Sequence, residues 1–274
     1  MSVAATLGRS RVLPVPCFLA LLALIGSGNL LAQTTPDVTE IDRPASAIFI
    51  GNSFFYYNNG MQGQVARLVA AAGAEQRLRT TLVAISGSGF KWHDVDSYFR
   101  PEAIGEYSFR NNDIVFNDFE RLFDVAILMD CSQCPIHSQL KDLFWELAEE
   151  HSETVRRHGA EPVFFMTWAY ADRPEMTAPL AEQYTRAGNA NNALVIPAGL
   201  AFAKSIERRP DLNLYNADRR HPSALGTYLA ACTIYASLLG ESPVGNAYTA
   251  GVDADTAAFL QAVAWETVQA YLGR

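Results

Sequence analysis

Five short apolar runs occur along the chain, and each has the length of a strand buried in a parallel sheet. Such strands lack apolar-polar alternation, because helices cover both faces of the sheet. The run Ala47–Ile50, which stops at Gly51, is one example. The pattern predicts strands at 46–51, 79–85, 124–130, 162–168 and 193–197.

Segments with apolar residues at helical spacing lie between and after these runs. In 136–158, Leu140, Phe144 and Leu147 follow this spacing, and glutamates occupy positions between them. The same reasoning predicts helices at 60–73, 136–158, 175–188, 199–207, 222–239 and 254–272.

Alternation of strands and helices predicts the fold class. Strands that alternate with helices form a parallel sheet with helices on both faces. We therefore predict an α/β protein, a three-layer αβα sandwich around a central, mostly parallel sheet of about five strands. Residues 94–123 fit neither pattern, and we expect them to form an excursion over the carboxyl edge of the sheet, where ligands bind in such folds.

The first 32 residues have the layout of a secretory signal peptide. They contain Arg9 and Arg11, no acidic residue, and an apolar centre at 18–25 that is too short to span a bilayer. We predict cleavage after Ala32, with cleavage after Gly28 as the alternative. A linker at 33–45 and a single domain at 46–274 follow. We expect an exported protein, periplasmic or secreted.

Charge narrows the range of partners. Without Arg9 and Arg11, 19 basic residues remain against 29 acidic ones. This balance argues against nucleic acid and against anionic membrane surfaces as partners. Cys17 precedes the apolar centre and does not fit a lipoprotein cleavage site, so no stable membrane anchor is expected.

Two segments supply the groups needed for nucleophilic catalysis. Gly51-Asn52-Ser53 follows the first predicted strand, and Asp218 stands three residues before His221. A serine hydroxyl becomes a good nucleophile when a neighbouring base takes its proton, and histidine is the usual base. Asp218 at this spacing can hold the imidazole in one tautomer. The pattern favours a serine hydrolase.

These residues resemble the SGNH (GDSL-like) hydrolase superfamily, and the similarity extends over about 46–245. The late block, His221-Pro222-Ser223-Ala224-Leu225-Gly226-Thr227-Tyr228, resembles that of an exported bacterial branch. The resemblance implies a flavodoxin-like fold and ester hydrolysis through an acyl-enzyme on Ser53. It also implies that Asp218 and His221 complete a triad, and that neither a cofactor nor a metal is required.

The resemblance further implies three donors to the oxyanion. They are the N–H of Ser53, a glycine N–H after the second strand, and a side-chain amide after the third. Gly87 matches the second donor, with Gly89 as the alternative. The family's asparagine is missing after the third strand, where Ser132 and Gln133 stand instead. Asn52 is a further candidate donor, and it could also contact substrate.

Cys131 and Cys134 form a C-x-x-C, with His137 following. A zinc site, a redox pair and a local disulfide are all open alternatives. Free thiols packed beside the strand end are the expectation, because no fourth zinc ligand is evident. Cys232 lies in an apolar helix and is expected in the core.

Other residues near the predicted strand ends are candidates for substrate contact. His93 follows the glycine loop, and Trp168 ends the fourth predicted strand. Aromatic side chains there would suit stacking on a sugar, so the expected substrate is a small-molecule or carbohydrate ester, with acetyl groups on carbohydrate as one candidate. A non-catalytic carbohydrate- or ligand-binding protein and an acyltransferase are the alternatives, and the sequence leaves the oligomeric state open.

Overall fold

Five strands form one parallel sheet, and two more form a separate antiparallel hairpin. The strands are β1 (Ser46–Gly51), β2 (Arg79–Ala84), β3 (Tyr107–Arg110), β4 (Asp113–Phe116), β5 (Val125–Leu128), β6 (Glu161–Phe165) and β7 (Leu194–Ile196). The sheet order is β2-β1-β5-β6-β7, and β3 pairs with β4. The computed structural model describes residues 1, 2, 4, 34–73, 77–100, 104, 107–117, 119 and 121–274.

Helices cover both faces of the parallel sheet. They are α1 (Ser53–Tyr56), α2 (Met61–Ala72), α3 (Lys141–Arg157), α4 (Thr177–Ala190), α5 (Ala198–Arg208), α6 (Ala224–Leu239) and α7 (Ala254–Leu272). Helices α3 and α4 contact each other and β6, whereas α2 contacts β2 and α6. Helix α7 packs on α5 and α6. The predicted α/β fold with a five-stranded parallel sheet is confirmed.

Burial of the strands explains why their sequences are continuous apolar runs. All residues of β1, β5 and β7 are buried, because helices lie on both sides of them. Strand β2 lies at the edge of the sheet and is half-buried throughout. Ile50 pairs with Val83 and Leu128, so these three strands end at the same edge.

The contacts that the structure describes for residues 94–123 lie away from the carboxyl edge of the sheet. A short 3₁₀ helix at Val95–Phe99 brings Asp96 within 2.9 Å of His158 Nε2, and the Phe99 ring stacks on the same histidine. His158 precedes β6, so these contacts lie towards the amino ends of the strands. The Phe119 ring lies 3.9 Å from the guanidinium of Arg79, the first residue of β2. The described contacts of Asp96, Phe99 and Phe119 therefore do not support the expected excursion over the ligand edge.

The predicted linker packs on the domain. The Asn189 amide donates to the carbonyl of Thr35 at 2.9 Å, and its oxygen accepts from the N–H of Asp37 at 2.9 Å. Thr34–Arg274 forms one compact unit. The predicted signal peptide falls almost wholly outside the described residues. In the described part of the chain, no helix combines the length and apolar character needed to cross a membrane.

Candidate active site

Ser53 is the first residue of α1, two residues after the end of β1 at Gly51. The extended backbone of Asn52 turns the chain, and its side-chain oxygen accepts from the N–H of Phe54 at 3.1 Å. Gly51 permits close packing before the turn, because a Cβ there would lie 2.8 Å from the Met129 methyl carbon. The turn presents the Ser53 hydroxyl at the carboxyl edge of the sheet.

The structure brings Ser53, His221 and Asp218 together in a chain of hydrogen bonds. Ser53 Oγ lies 2.8 Å from His221 Nε2, at a sequence separation of 168 residues. On the other side of the ring, His221 Nδ1 donates to Asp218 Oδ2. A serine that donates to one ring nitrogen while the other donates to a carboxylate has the arrangement of an activated nucleophile.

Asp218 is held by its own turn. Its Oδ1 accepts from the N–H groups of Arg220 and His221, both at 3.0 Å. Burial alone would raise the pKa of Asp218. The bonds from the His221 ring and from the two N–H groups outweigh burial and hold that pKa below its ordinary value. Arg219, between Asp218 and Arg220, has a left-handed backbone with φ 63°, which lets the turn close.

Aromatic rings also fix the orientation of His221. The Tyr57 ring stacks on the imidazole at 4.3 Å between centroids, and the Phe54 ring meets it edge-on at 5.4 Å. Asn58 then ties the histidine loop to α1 through a 2.9 Å bond to the carbonyl of Pro222. The contact of Tyr57 with His221 was not predicted from the sequence. The signal that could have indicated it is the position of Tyr57 one helical turn after Ser53.

Gly87 and Gly89, in the loop after β2, have different surroundings. Gly87 has φ +71°, and a Cβ there would meet nothing within 4 Å, so its backbone borders open space. At Gly89 a Cβ would lie 2.6 Å from an Asp130 carboxylate oxygen. Gly89 therefore serves close packing, and Gly87 remains the glycine that can offer an N–H to a ligand.

The loop after β5 carries the two candidates for the third donor. Ser132 Oγ shares a 2.7 Å hydrogen bond with the hydroxyl of Tyr170, and the Ser132 carbonyl accepts from Thr167 Oγ1. Gln133 is half-buried, and its amide makes no hydrogen bond within the described part of the chain. Of Ser132 and Gln133, only Gln133 therefore has a side-chain donor that is free of hydrogen bonds in the described part of the chain.

Cys131 and Cys134 form a disulfide, so the expectation of free thiols is wrong. A zinc site requires thiolates, which joined sulfurs do not provide. His137 Nδ1 accepts from the N–H of Gln139 at 3.2 Å, within its own loop. Cys232 is free and buried in the core, as predicted.

The Asn52 side chain connects three loops of the site through hydrogen bonds. Its side-chain nitrogen donates to the carbonyls of Ser88 and Asp130, at 3.1 and 3.2 Å. With its oxygen bound to the N–H of Phe54, every polar group of this buried amide is paired. Its proposed roles as oxyanion donor and substrate contact are therefore not supported. Asn52 instead holds the loops after β2 and β5 against the turn that carries Ser53.

We expect Asn52→Ala to lower the free energy of unfolding by about 2–4 kcal/mol, because two buried carbonyls and one N–H lose their partner. Urea denaturation followed by circular dichroism measures the change. Gln139→Ala, which removes an exposed amide, is the control. A loss below about 1 kcal/mol would mean that water replaces the Asn52 amide at all three groups.

His93 is buried and faces protein groups, not a cleft. The Ser88 hydroxyl donates to the carbonyl of Gly51 and so accepts from His93 Nε2, at 3.1 Å. The Tyr98 hydroxyl lies 3.2 Å from His93 Nδ1. Burial lowers the pKa of His93 to about 4, so the ring is neutral at neutral pH. The prediction of substrate contact by His93 is not supported by this position.

Trp168 likewise belongs to the core. It is fully buried between the Phe54 and Phe202 rings, and its Nε1 donates to the carbonyl of Arg220 at 2.9 Å. Trp168 therefore holds the loop that carries His221 through this hydrogen bond, and its enclosed ring cannot stack on a ligand. Trp92 and Tyr56 remain exposed, at 64% and 38% of their surface.

Several solved structures resemble this chain. A candidate SGNH hydrolase from Slackia heliotrinireducens is 21% identical, with a TM-score of 0.50 over 70% of this chain and 97% of that one. A DUF4886 family protein from Bacteroides uniformis is 18% identical, with a TM-score of 0.58 over 81% and 93%. A mutant acetylxylan esterase from Geobacillus stearothermophilus is 16% identical, with a TM-score of 0.53 over 74% and 98%.

No protein-family model matches the chain, and no curated protein does. The likeness to solved structures shows that the chain has an SGNH-like hydrolase fold.

Proposed function

We propose that this chain, which has an SGNH-like hydrolase fold, is a serine esterase that forms an acyl-enzyme on Ser53. The observation that carries the proposal is the hydrogen-bonded chain from Ser53 Oγ through His221 to Asp218. Each group in it has the position that its step of ester hydrolysis requires.

In the proposed mechanism, His221 Nε2 takes the proton of Ser53 as Oγ attacks the ester carbonyl carbon. Asp218 stabilises the imidazolium that forms and keeps Nδ1 protonated. His221 then gives the proton to the leaving alcohol, and the acyl group stays on Ser53. Water, activated by the same imidazole, releases the acid and restores the hydroxyl.

The negative charge on the carbonyl oxygen needs donors that are fixed before the reaction. We assign this role to the N–H groups of Ser53 and Gly87 and to the side-chain amide of Gln133. Asn52 is excluded because both N–H groups of its amide are already bound. The Ser132 hydroxyl is shared with Tyr170, which leaves Gln133 as the free amide on this loop.

If Gln133 supplies the third donor, Gln133→Ala should lower kcat by about 100-fold or more with little change in KM, because this bond forms chiefly in the transition state. Steady-state kinetics with p-nitrophenyl acetate measures both constants. Gln139→Ala removes an exposed glutamine of the same segment and should leave both unchanged. An unaltered kcat in Gln133→Ala would transfer the role to Ser132, and a rise in KM alone would make Gln133 a substrate contact.

We propose short acyl groups on carbohydrate, acetyl above all, as the substrate class. Tyr56 supports this assignment: it is exposed, and its hydroxyl donates to Ser86 Oγ at 3.0 Å, beside Gly87. Trp92 is exposed on the segment that follows the same loop. Exposed aromatic rings near a polar site suit stacking on sugar rings. The likeness to an acetylxylan esterase supports the same class.

A panel of p-nitrophenyl esters of increasing chain length, run beside acetylated xylooligosaccharides, tests the proposed function. We expect kcat/KM to be highest for acetyl esters and acetate to be released from the sugars. A fluorophosphonate probe should label Ser53. Absence of both labelling and turnover would favour a binding protein, and ester exchange onto an added alcohol in preference to water would favour an acyltransferase.

We also propose that the protein is exported, on the basis of the signal-peptide layout of residues 1–32. Expression of the whole chain in a bacterial host, followed by cell fractionation and amino-terminal sequencing, tests this. The expected product begins at Gln33, or at Asn29 if cleavage follows Gly28. An uncleaved chain in the cytoplasmic fraction would contradict export.

A further inference from the structure

The disulfide between Cys131 and Cys134 closes a very short loop at the carboxyl end of β5. A disulfide stabilises a fold mainly by restricting the unfolded chain, and the effect is smallest for the shortest loops. Cys131 is partly exposed, whereas Cys134 is buried. The pair therefore adds less to stability than a disulfide across a long loop, and one of its two cysteines is partly exposed, a combination that suits exchange with an external thiol.

A buried carboxyl group lies beside both sulfurs. An Asp130 carboxylate oxygen and the two Sγ atoms all lie within 4.8 Å of one another. Asp130 Oδ1 accepts from the N–H groups of Phe90 and Cys131, at 2.7 and 2.8 Å, and no described basic side chain pairs with it. Burial raises the pKa of Asp130 to about 6. This carboxyl group can therefore hold a proton close to neutral pH and transfer it to a neighbouring sulfur.

We propose that Cys131–Cys134 is a thiol–disulfide exchange site, with Asp130 as its proton donor and low-molecular-weight thiols as its reductants. An external thiolate attacks Cys131 Sγ, and the electron pair of the broken S–S bond stays on Cys134 Sγ, which takes the proton of Asp130. A second thiolate attacks the external sulfur of the mixed disulfide and releases Cys131 as a thiolate. Two thiols are oxidised to one disulfide, the protein gains two electrons, and solvent restores the protons of Cys131 and Asp130.

Exchange at this pair also controls the esterase site, a step that rests on the proposed function. The disulfide brackets Ser132 and Gln133, the residues of the third-donor loop. Reduction removes the covalent closure of that loop, so the Gln133 amide is held less firmly at the oxyanion. A misplacement of about 1 Å costs as much as 100-fold in rate, so we expect reduction to lower kcat by about tenfold or more.

The exchange itself is tested without any esterase assay. The folded protein is incubated with millimolar dithiothreitol at pH 7, and the reaction is quenched in acid. The protein is then unfolded and alkylated, and its intact mass is measured by mass spectrometry. We expect two additional alkyl groups within minutes, above the constant contribution of Cys232 (and of Cys17 where residues 1–32 are retained), and their loss after treatment with glutathione disulfide. A pair that is reduced only after the protein unfolds would overturn the proposal.

The role of Asp130 is tested by Asp130→Asn, which should slow reduction of the folded protein by about tenfold or more. Asp142→Asn, an exposed aspartate in the first turn of α3, is the control and should react at the wild-type rate. An unchanged rate in Asp130→Asn, with the fold intact by circular dichroism, would exclude Asp130 as the proton donor.

The link to the esterase is tested by steady-state kinetics on oxidised and reduced protein. Reduction should lower kcat by about tenfold or more and leave KM unchanged. A variant with both Cys131→Ser and Cys134→Ser should have the same lowered kcat and ignore dithiothreitol. Equal kcat in both redox states would overturn the link. An oxidised protein without esterase activity would refute the proposed function instead, while the alkylation result would stand on its own.

Discussion

Ser53→Ala is expected to lower kcat for p-nitrophenyl acetate by at least about 10⁴-fold, because it removes the proposed nucleophile; loss of the serine in a protease triad has a cost of this order or larger. The fold should be retained. Within the described residues Ser53 Oγ hydrogen-bonds only to His221 Nε2, so the free energy of unfolding should change by no more than about 1 kcal/mol. Kinetics and thermal denaturation of the same preparation measure both effects.

Ser138→Ala is the matched control for this variant. Ser138 is exposed and makes no side-chain hydrogen bond in the described part of the chain, so its loss should change neither rate nor stability. Fluorophosphonate labelling should disappear in Ser53→Ala and persist in Ser138→Ala. Retention of more than a few per cent of wild-type turnover by Ser53→Ala would refute the assignment of the nucleophile.

Asp218→Asn is expected to lower kcat by about 10⁴-fold, the cost of the same change in a serine protease. An asparagine amide can favour the wrong tautomer of His221, and it cannot stabilise the imidazolium that forms during attack. Because the pKa of Asp218 is lower than usual, its carboxylate is ionised above the ordinary titration range of aspartate and loses its charge only in stronger acid. Activity between pH 5 and 8 should therefore not be limited by protonation of Asp218.

Asp172→Asn provides the control for lost charge. Asp172 is exposed and lies 3.9 Å from Arg219, beside the same loop, but makes no contact with His221 in the described structure. It should retain nearly full activity. If Asp218→Asn and Asp172→Asn behave alike, the Asp218–His221 pair would be a structural feature of the loop, without a role in catalysis.

Most of the fold could be predicted from local sequence pattern. Apolar runs located all five strands of the central sheet, because a strand covered on both faces is apolar at every position. Helix α3 begins at Lys141, later than its apolar spacing predicts, because a 3₁₀ turn at Cys134–Ile136 occupies the preceding segment. The hairpin of β3 and β4 was not predicted. Its apolar side chains are largely exposed on both faces, so its sequence shows no alternation of buried and exposed positions.

Chain order and spacing also located the candidate site. Ser53 follows a buried strand, and parallel strands carry ligands at their carboxyl ends, so the place of the serine could be inferred before any contact was known. The three-residue spacing of Asp218 and His221 lies within one turn of the chain, and the side-chain bond between them is local. These are short-range relations, which the sequence determines by itself.

The tertiary structure decided which side chains remain free to act. Asn52 and Trp168 both stand at strand ends, yet Asn52 is bound to the carbonyls of two other loops, and Trp168 is enclosed by the rings of Phe54 and Phe202. The meeting of these loops also places the N–H of Phe90 on the buried Asp130 carboxylate, and it leaves the Gln133 amide without a hydrogen-bond partner in the described part of the chain. The backbone pattern of each segment is set by its own residues. The burial and pairing of a side chain depend on groups distant in sequence, which come together only when the sheet and its loops have assembled.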